Sequence, residues 1–144
     1  MKKYYLAHQF KYRFFVREQE LRLEKEYNII LDNPFYDAAK RQDIEIADKG
    51  IKRKFSKIDC DEIVGNDLSM IDNADGIVSI IIDDESLGSY MEIFYCSHDL
   101  YKPVYLICPV DKIRNHIWIR KFATKRFKNI TDFEKWLIKK ELKK

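Results

Sequence analysis

The 144-residue chain reads as an α/β protein: a doubly wound, three-layer sandwich with helices on both faces of a mostly parallel, five-stranded sheet. Three observations predict this. "GIVSIII" (Gly76 to Ile82) is a continuous β-branched run, and "KPVYLICPV" (Lys102 to Val110) is a second apolar run. Such runs belong to strands covered on both faces, as in parallel sheets. Segments of this kind alternate with helix-forming ones, the order that builds a parallel sheet between helices. Finally, no repeat, linker or low-complexity stretch divides the sequence, so residues 1–144 are expected to form one domain.

The elements follow in order. "KYYLAHQF" (Lys3 to Phe10) is a short strand ending in a polar-aromatic loop, and Arg13 to Tyr27, free of Gly and Pro, is a helix. "YNIILDNPFYD" (Tyr27 to Asp37) gives a second strand, stopped by Asn33-Pro34. Ala38 to Lys57 is expected to be helical in parts, with Gly50 as a break. Cys60 to Gly76 is a helix and a turn leading into the apolar strand at Gly76. Ser89 to Lys102 is a helix with Met91, Phe94, Tyr95 and His98 on one apolar stripe. "NHIWIRKF" reads as a strand or a short helix whose alternation points its aromatics inward. The last helix opens at Thr131, where "TDFE" has the form of a capping box, and buries Phe133, Trp136 and Leu137.

Bulk properties narrow the function. No run approaches the roughly 20 apolar residues of a membrane-spanning helix, and the amino terminus lacks a signal-peptide core. Cys60, Cys96 and Cys108 are odd in number and lack CxxC spacing. They read as reduced, mostly buried thiols of a cytoplasmic protein, without a metal site. Net charge is only +3 but unevenly spread. Ile58 to Tyr101 holds eleven acids and no Lys or Arg, whereas Lys112 to Lys144 holds twelve Lys or Arg and three acids. A basic third interleaved with Trp118, Phe122 and Phe127 could contact nucleic acid; a solvated basic helix is the plainer reading.

In doubly wound sheets, ligands sit beyond the carboxyl ends of the strands, at a switch in strand order. The "AHQF" and "DDESLG" loops both fall at such ends and should face one crevice. Glu92 follows the second loop by about one helical turn. The positive end of the helix dipole there favours an ionised carboxylate, the form needed for attack on a sugar's anomeric carbon.

The set "YYLAHQF", then "NDLSMIDNADGIVSIIIDDESLGSYMEIFYC" (Asn66 to Cys96), then "KPVYLI" resembles the nucleoside 2-deoxyribosyltransferase family and the related 2'-deoxynucleoside 5'-phosphate N-hydrolases. The resemblance runs from Tyr4 to about Phe122 and is weakest between Ala38 and Cys60. It implies a flavodoxin-like fold and cleavage of the N-glycosidic bond of a nucleoside or nucleoside 5'-monophosphate. The sugar would pass through a covalent glycosyl-glutamate to another base or to water. It further implies Glu92 as nucleophile, Tyr5 as its hydrogen-bond partner and Asp67 beside sugar and leaving base. Ser86, Gly88 and Ser89 would form the sugar- or phosphate-facing loop, Phe10 and Phe35 would flank the base, and Asn33 would be a further substrate-binding residue. Asn115 would cap the sugar of a neighbouring subunit, which makes the expected protein a homo-oligomer with shared sites. No metal or organic cofactor is implied. Two departures stand out: Tyr90 occupies a position where the family has Gly, and Ser86 with Ser89 tilts the loop toward a phosphate-bearing ligand. For such a ligand, cations could come from Lys52, Arg53, Lys54, Arg114 or Arg120. The alternatives of the same fold are a nucleotide-sequestering module without turnover and an NAD-type glycohydrolase.

Overall fold

A computed structural model describes residues 1–36 and 55–144. The expected helical pieces between Ala38 and Lys57, and Lys52, Arg53 and Lys54 with them, lie largely or wholly outside the described residues. Five strands, β1 (Lys2–His8), β2 (Ile29–Asp32), β3 (Gly76–Ile80), β4 (Val104–Ile107) and β5 (Lys125–Phe127), form one sheet in the order β2-β1-β3-β4-β5. Every pairing is parallel, from Tyr5 opposite Asp32 and Ile77 to Ile107 opposite Phe127. This is the flavodoxin-like order, with its switch between β1 and β3.

The two sides of the sheet bury different side chains because successive residues of a strand point to opposite faces. One face sets Tyr4, Leu6, Leu31, Val78 and Ile80 against Val16 and Leu23 of α1 (Arg13–Glu26) and Phe133 and Leu137 of α6 (Ile130–Lys139). The other sets Tyr5, Ala7, Ile77, Val104 and Leu106 against four helices. These are α2 (Lys57–Asp72), α3 (Leu87–Phe94), α4 (Asp111–Arg114) and α5 (Ile117–Phe122). Each fully buried Ile or Leu contributes about 1.5–3 kcal/mol, so the central strands dominate the core. Gly76 opens β3 against the Pro103 carbonyl, at a closeness a Cβ would violate.

Local signals explain the starts of two helices. Ser56 and Asp59 form a reciprocal capping box at α2. At α6 the cap is Asn129, whose Oδ1 accepts the Asp132 N–H at 2.8 Å; the helix therefore starts one residue before Thr131, and the "TDFE" box does not form. "NHIWIRKF" is helical over α5, with Ile119 buried but Trp118 61% exposed, which corrects the inward assignment of that aromatic. α3 passes into one wider turn, Tyr95–Asp99, closed by the Leu100 N–H on the Tyr95 carbonyl. The expected stripe on this helix is also corrected. Ser89, Ile93 and Cys96 face the core, whereas Met91 is 65% exposed, and Phe94 and His98 are exposed too. Cys60 is exposed, unlike Cys96 and Cys108. Among the described residues no helix is long and apolar enough to cross a membrane.

Candidate active site

β1 and β3 are neighbours, so the loops leaving their carboxyl ends enclose a common space. A cleft of about 210 Å³ opens there. Its walls include Tyr5 of β1, Phe10 and Phe35 of the following loops, Asp67 of α2, and Ser86, Gly88, Ser89 and Glu92 at α3. Eight of the residues singled out in the sequence thus share one cavity.

Inside it, the Tyr5 hydroxyl donates a hydrogen bond to Oε2 of Glu92. Tyr5 is buried within the sheet, so its hydroxyl reaches the cleft from a fixed base. Glu92 lies in the second turn of α3, further from the free N–H groups than the sequence indicated. The expectation of an ionised side chain is correspondingly revised: burial, with Asp67 adding its charge, raises the carboxyl from 4.5 to about 8 against the opposing Tyr5 bond. Each unit of pKa is worth about 1.4 kcal/mol, whereas an exposed helix-dipole contact is worth about 0.3–1 kcal/mol. Desolvation wins. Asp67 is likewise pushed up, to about 7, by burial. Tyr5 is raised well above 10 by burial and by Glu92, so its hydroxyl stays protonated and donates.

The wall for a planar ring is aromatic. Phe35 meets His8 edge-on at 5.0 Å and Phe10 at 5.2 Å between centroids, and the Arg13 guanidinium lies 4.0 Å over Phe10. Asn33 stands behind this wall. It is 1% exposed, and its amide is committed: Oδ1 accepts the Phe35 N–H and His8 Nε2, both at 3.0 Å, while Nδ2 donates to Glu20 at 2.9 Å. Because the Phe35 N–H fixes which atom is Oδ1, His8 carries its proton on Nε2. Burial lowers the pKa of His8. Asn33 therefore holds Phe35 in place and is not itself on the cleft wall.

Other residues singled out earlier lie elsewhere. Asn115 is on a separate surface, accepting from Arg126 at 3.1 Å. Arg114 is buried, donating to the Cys108 carbonyl at 2.8 Å and pairing with Asp111, and Arg120 is exposed on α5. Neither arginine lines the cleft. Tyr90 points to the far side of α3, into an apolar groove with Trp118 and Phe122, and leaves the cleft unnarrowed. Sequence reasoning passed over His8 and Gln9, both buried and both on the cleft; their place in the "AHQF" loop at a strand end was the available signal.

Among solved structures, the chain is similar to a 2-deoxyribosyltransferase from the psychrotolerant bacterium Bacillus psychrosaccharolyticus, described as a biocatalyst for the synthesis of antiviral and antitumoral nucleosides. The two are 26% identical over 92% of this chain and 90% of that one, with a TM-score of 0.66. The chain has a deoxyribosyltransferase fold. A conserved protein from Enterococcus faecalis shares the architecture at 16% identity, covering 97% and 99% of the two chains with a TM-score of 0.58. No family model and no curated protein matches. Within this deoxyribosyltransferase fold, the cleft with Tyr5, Asp67 and Glu92 lies at the switch between β1 and β3.

Proposed function

We propose that the protein cleaves the N-glycosidic bond of a nucleoside or nucleoside monophosphate, with Glu92 as nucleophile. The observation that carries this reading is the Tyr5–Glu92 hydrogen bond inside a cleft that also holds Asp67. Two half-buried carboxyls sharing one cleft titrate as a unit. With values of about 7 and about 8, the pair holds roughly one proton between those pH values. One carboxylate and one acid are the two forms the chemistry requires; the reaction draws on the arrangement with the proton on Asp67, the less populated one, since the higher value leaves the proton more often on Glu92.

Glu92, its charge stabilised by the Tyr5 hydroxyl, attacks C1' of the sugar, forming a C–O bond as the C–N bond to the base breaks. Asp67 gives its proton to the departing base, directly or through water. The glycosyl ester then reacts on the same face with water, giving hydrolysis, or with a second base, giving transfer; either route retains the anomeric configuration. The base would lie against Phe10 and Phe35. Ser86 and Ser89 are at the end of the cleft where α3 begins, a setting that suits the sugar's 5' hydroxyl or its phosphate. The departure at Tyr90 leaves this chemistry unobstructed, since that side chain lines the groove on the far side of α3 and not the cleft.

Incubation with a panel of deoxynucleosides and their monophosphates, followed by chromatography, tests the proposal. Free base should appear with the wild-type chain and be abolished in a folded Glu92→Ala variant. Turnover retained in that variant, or tight binding without release in the wild type, would overturn it.

A further inference from the structure

The loops that enclose the cleft are joined by one side chain. Gln9 follows β1 directly and is 6% exposed. Its Oε1 accepts the N–H groups of Ile82 at 3.1 Å and Asp83 at 3.3 Å. Its Nε2 donates to Oδ1 of Asp83 and, at 2.8 Å, to the Glu85 carbonyl. Two donors and two lone pairs are the full capacity of a carboxamide, and here all are spent on the loop after β3.

Asp83 completes the arrangement from the other side. Oδ1 also accepts the Glu85 N–H at 3.0 Å, while Oδ2 accepts the Tyr12 hydroxyl at 2.6 Å and Lys11 Nζ at 3.0 Å. These bonds, Tyr12's foremost, hold the Asp83 carboxyl well below the usual carboxylate range. The loop after β1 and the loop after β3 are thus fastened at residues 9, 11 and 12 on one side and 82, 83 and 85 on the other. The second loop runs straight into α3, whose first turn is closed by the Tyr90 N–H on the Ser86 carbonyl at 3.0 Å. Glu92 rides on that helix, and His8 and Phe10, either side of Gln9, line the cleft.

We propose that Gln9, braced by Asp83, is a positioning residue that fixes the gap between the β1 loop and the start of α3, and with it the reach of Glu92 into the cleft. The inference rests on the reading of Glu92 as nucleophile. Few other side chains could replace the amide. Leucine matches its volume but makes none of the four bonds, asparagine is one methylene short, and glutamate cannot donate and would face Asp83 as a like charge.

The test uses the full chain carrying Gln9→Leu, Asp83→Ala, or both. Folding is followed by thermal unfolding, and kcat and KM are measured for the deoxynucleoside the wild type cleaves fastest. A misplacement of about 1 Å costs on the order of a hundredfold in rate, so Gln9→Leu should lose kcat on that scale while KM moves far less. The acid limb of its pH profile should move toward the ordinary carboxylate range as water reaches Glu92. The double variant should lose no more than the worse single one, because the two residues act as one clamp. A folded Gln9→Leu protein with wild-type kcat and pH limb overturns the inference, as do losses that multiply in the double variant. If Gln9→Leu does not fold, Asp83→Ala carries the same comparison. If the wild type releases no base, the functional reading fails by itself. Amide exchange at Ile82 and Asp83 then decides the clamp: faster exchange in Gln9→Leu upholds it, and unchanged protection overturns it.

Discussion

The hydroxyl of Tyr5, on the central strand β1, donates to the carboxylate of Glu92, on α3, across 87 residues of sequence. A parallel sheet makes this meeting possible, because β1 and β3 end side by side and α3 starts from the second of them. The bond is the one local influence that favours a charged Glu92 in a buried cleft.

Replacing Tyr5 by Phe keeps the ring and removes the donor. Hydrogen bonds to charged groups are worth about 1.5–3 kcal/mol. The variant should therefore lose on the order of ten- to a hundredfold in kcat/KM near neutrality, and its acid limb should move to higher pH. Steady-state rates across pH check both; an unchanged limb would mean that Tyr5 does not stabilise the charged carboxyl.

Base release should follow a bell with limbs near pH 7 and 8, belonging to the Asp67–Glu92 pair and not to either residue. In Asp67→Asn the alkaline limb should vanish, leaving one acid limb set by Glu92 alone and lying below about 8, since a like charge has left Glu92's surroundings. A stopped assay over pH 5.5–9.5, roughly two units either side of the pair, measures this.

Stability should fall with rising pH while activity climbs its acid limb. Both carboxyls have folded-state values above their unfolded ones, so the protonated forms favour the native state. Their contribution is fully present below the ordinary values of about 4 and is lost as pH rises through about 7 to 8. Thermal unfolding should show wild-type stability falling over that window, with Glu92→Gln flattening the fall.

Asn33→Ala should lower stability by about 1–3 kcal/mol, because it leaves buried donors and acceptors on His8, Phe35 and Glu20 short of a partner. If Asn33 acts by holding Phe35, KM should rise in this variant while the pH limbs stay in place. Denaturant melts together with kinetics separate the two effects.

The strands were legible where burial on both faces leaves a continuous apolar signature, as in "GIVSIII" and "KPVYLIC". β5 was not, because three residues with two cations carry no such signature. The buried face of α3 was misread for a physical reason. A helical spacing fits both Met91-Phe94-Tyr95-His98 and Ser89-Ile93-Cys96, and hydrophobicity selects the first. The face that packs inward carries a small hydroxyl and has Glu92 at its edge, on the cleft. Tyr5, Asp67 and Glu92 could be grouped through the resemblance in motif order, but their burial, which sets their protonation, arises only from packing. Asn33 shows the same limit: a polar side chain beside a strand end reads as a ligand contact until its hydrogen bonds are seen to be spent internally. Gln9, equally committed to internal bonds, was passed over.

The most direct measurement is the intact mass of the protein quenched during turnover of a deoxynucleoside. The account predicts a species heavier by one deoxyribosyl group, with the added mass mapping to Glu92 on peptide analysis and missing from Glu92→Ala. Base release with no such species at any quench time, or an adduct on another residue, would contradict it.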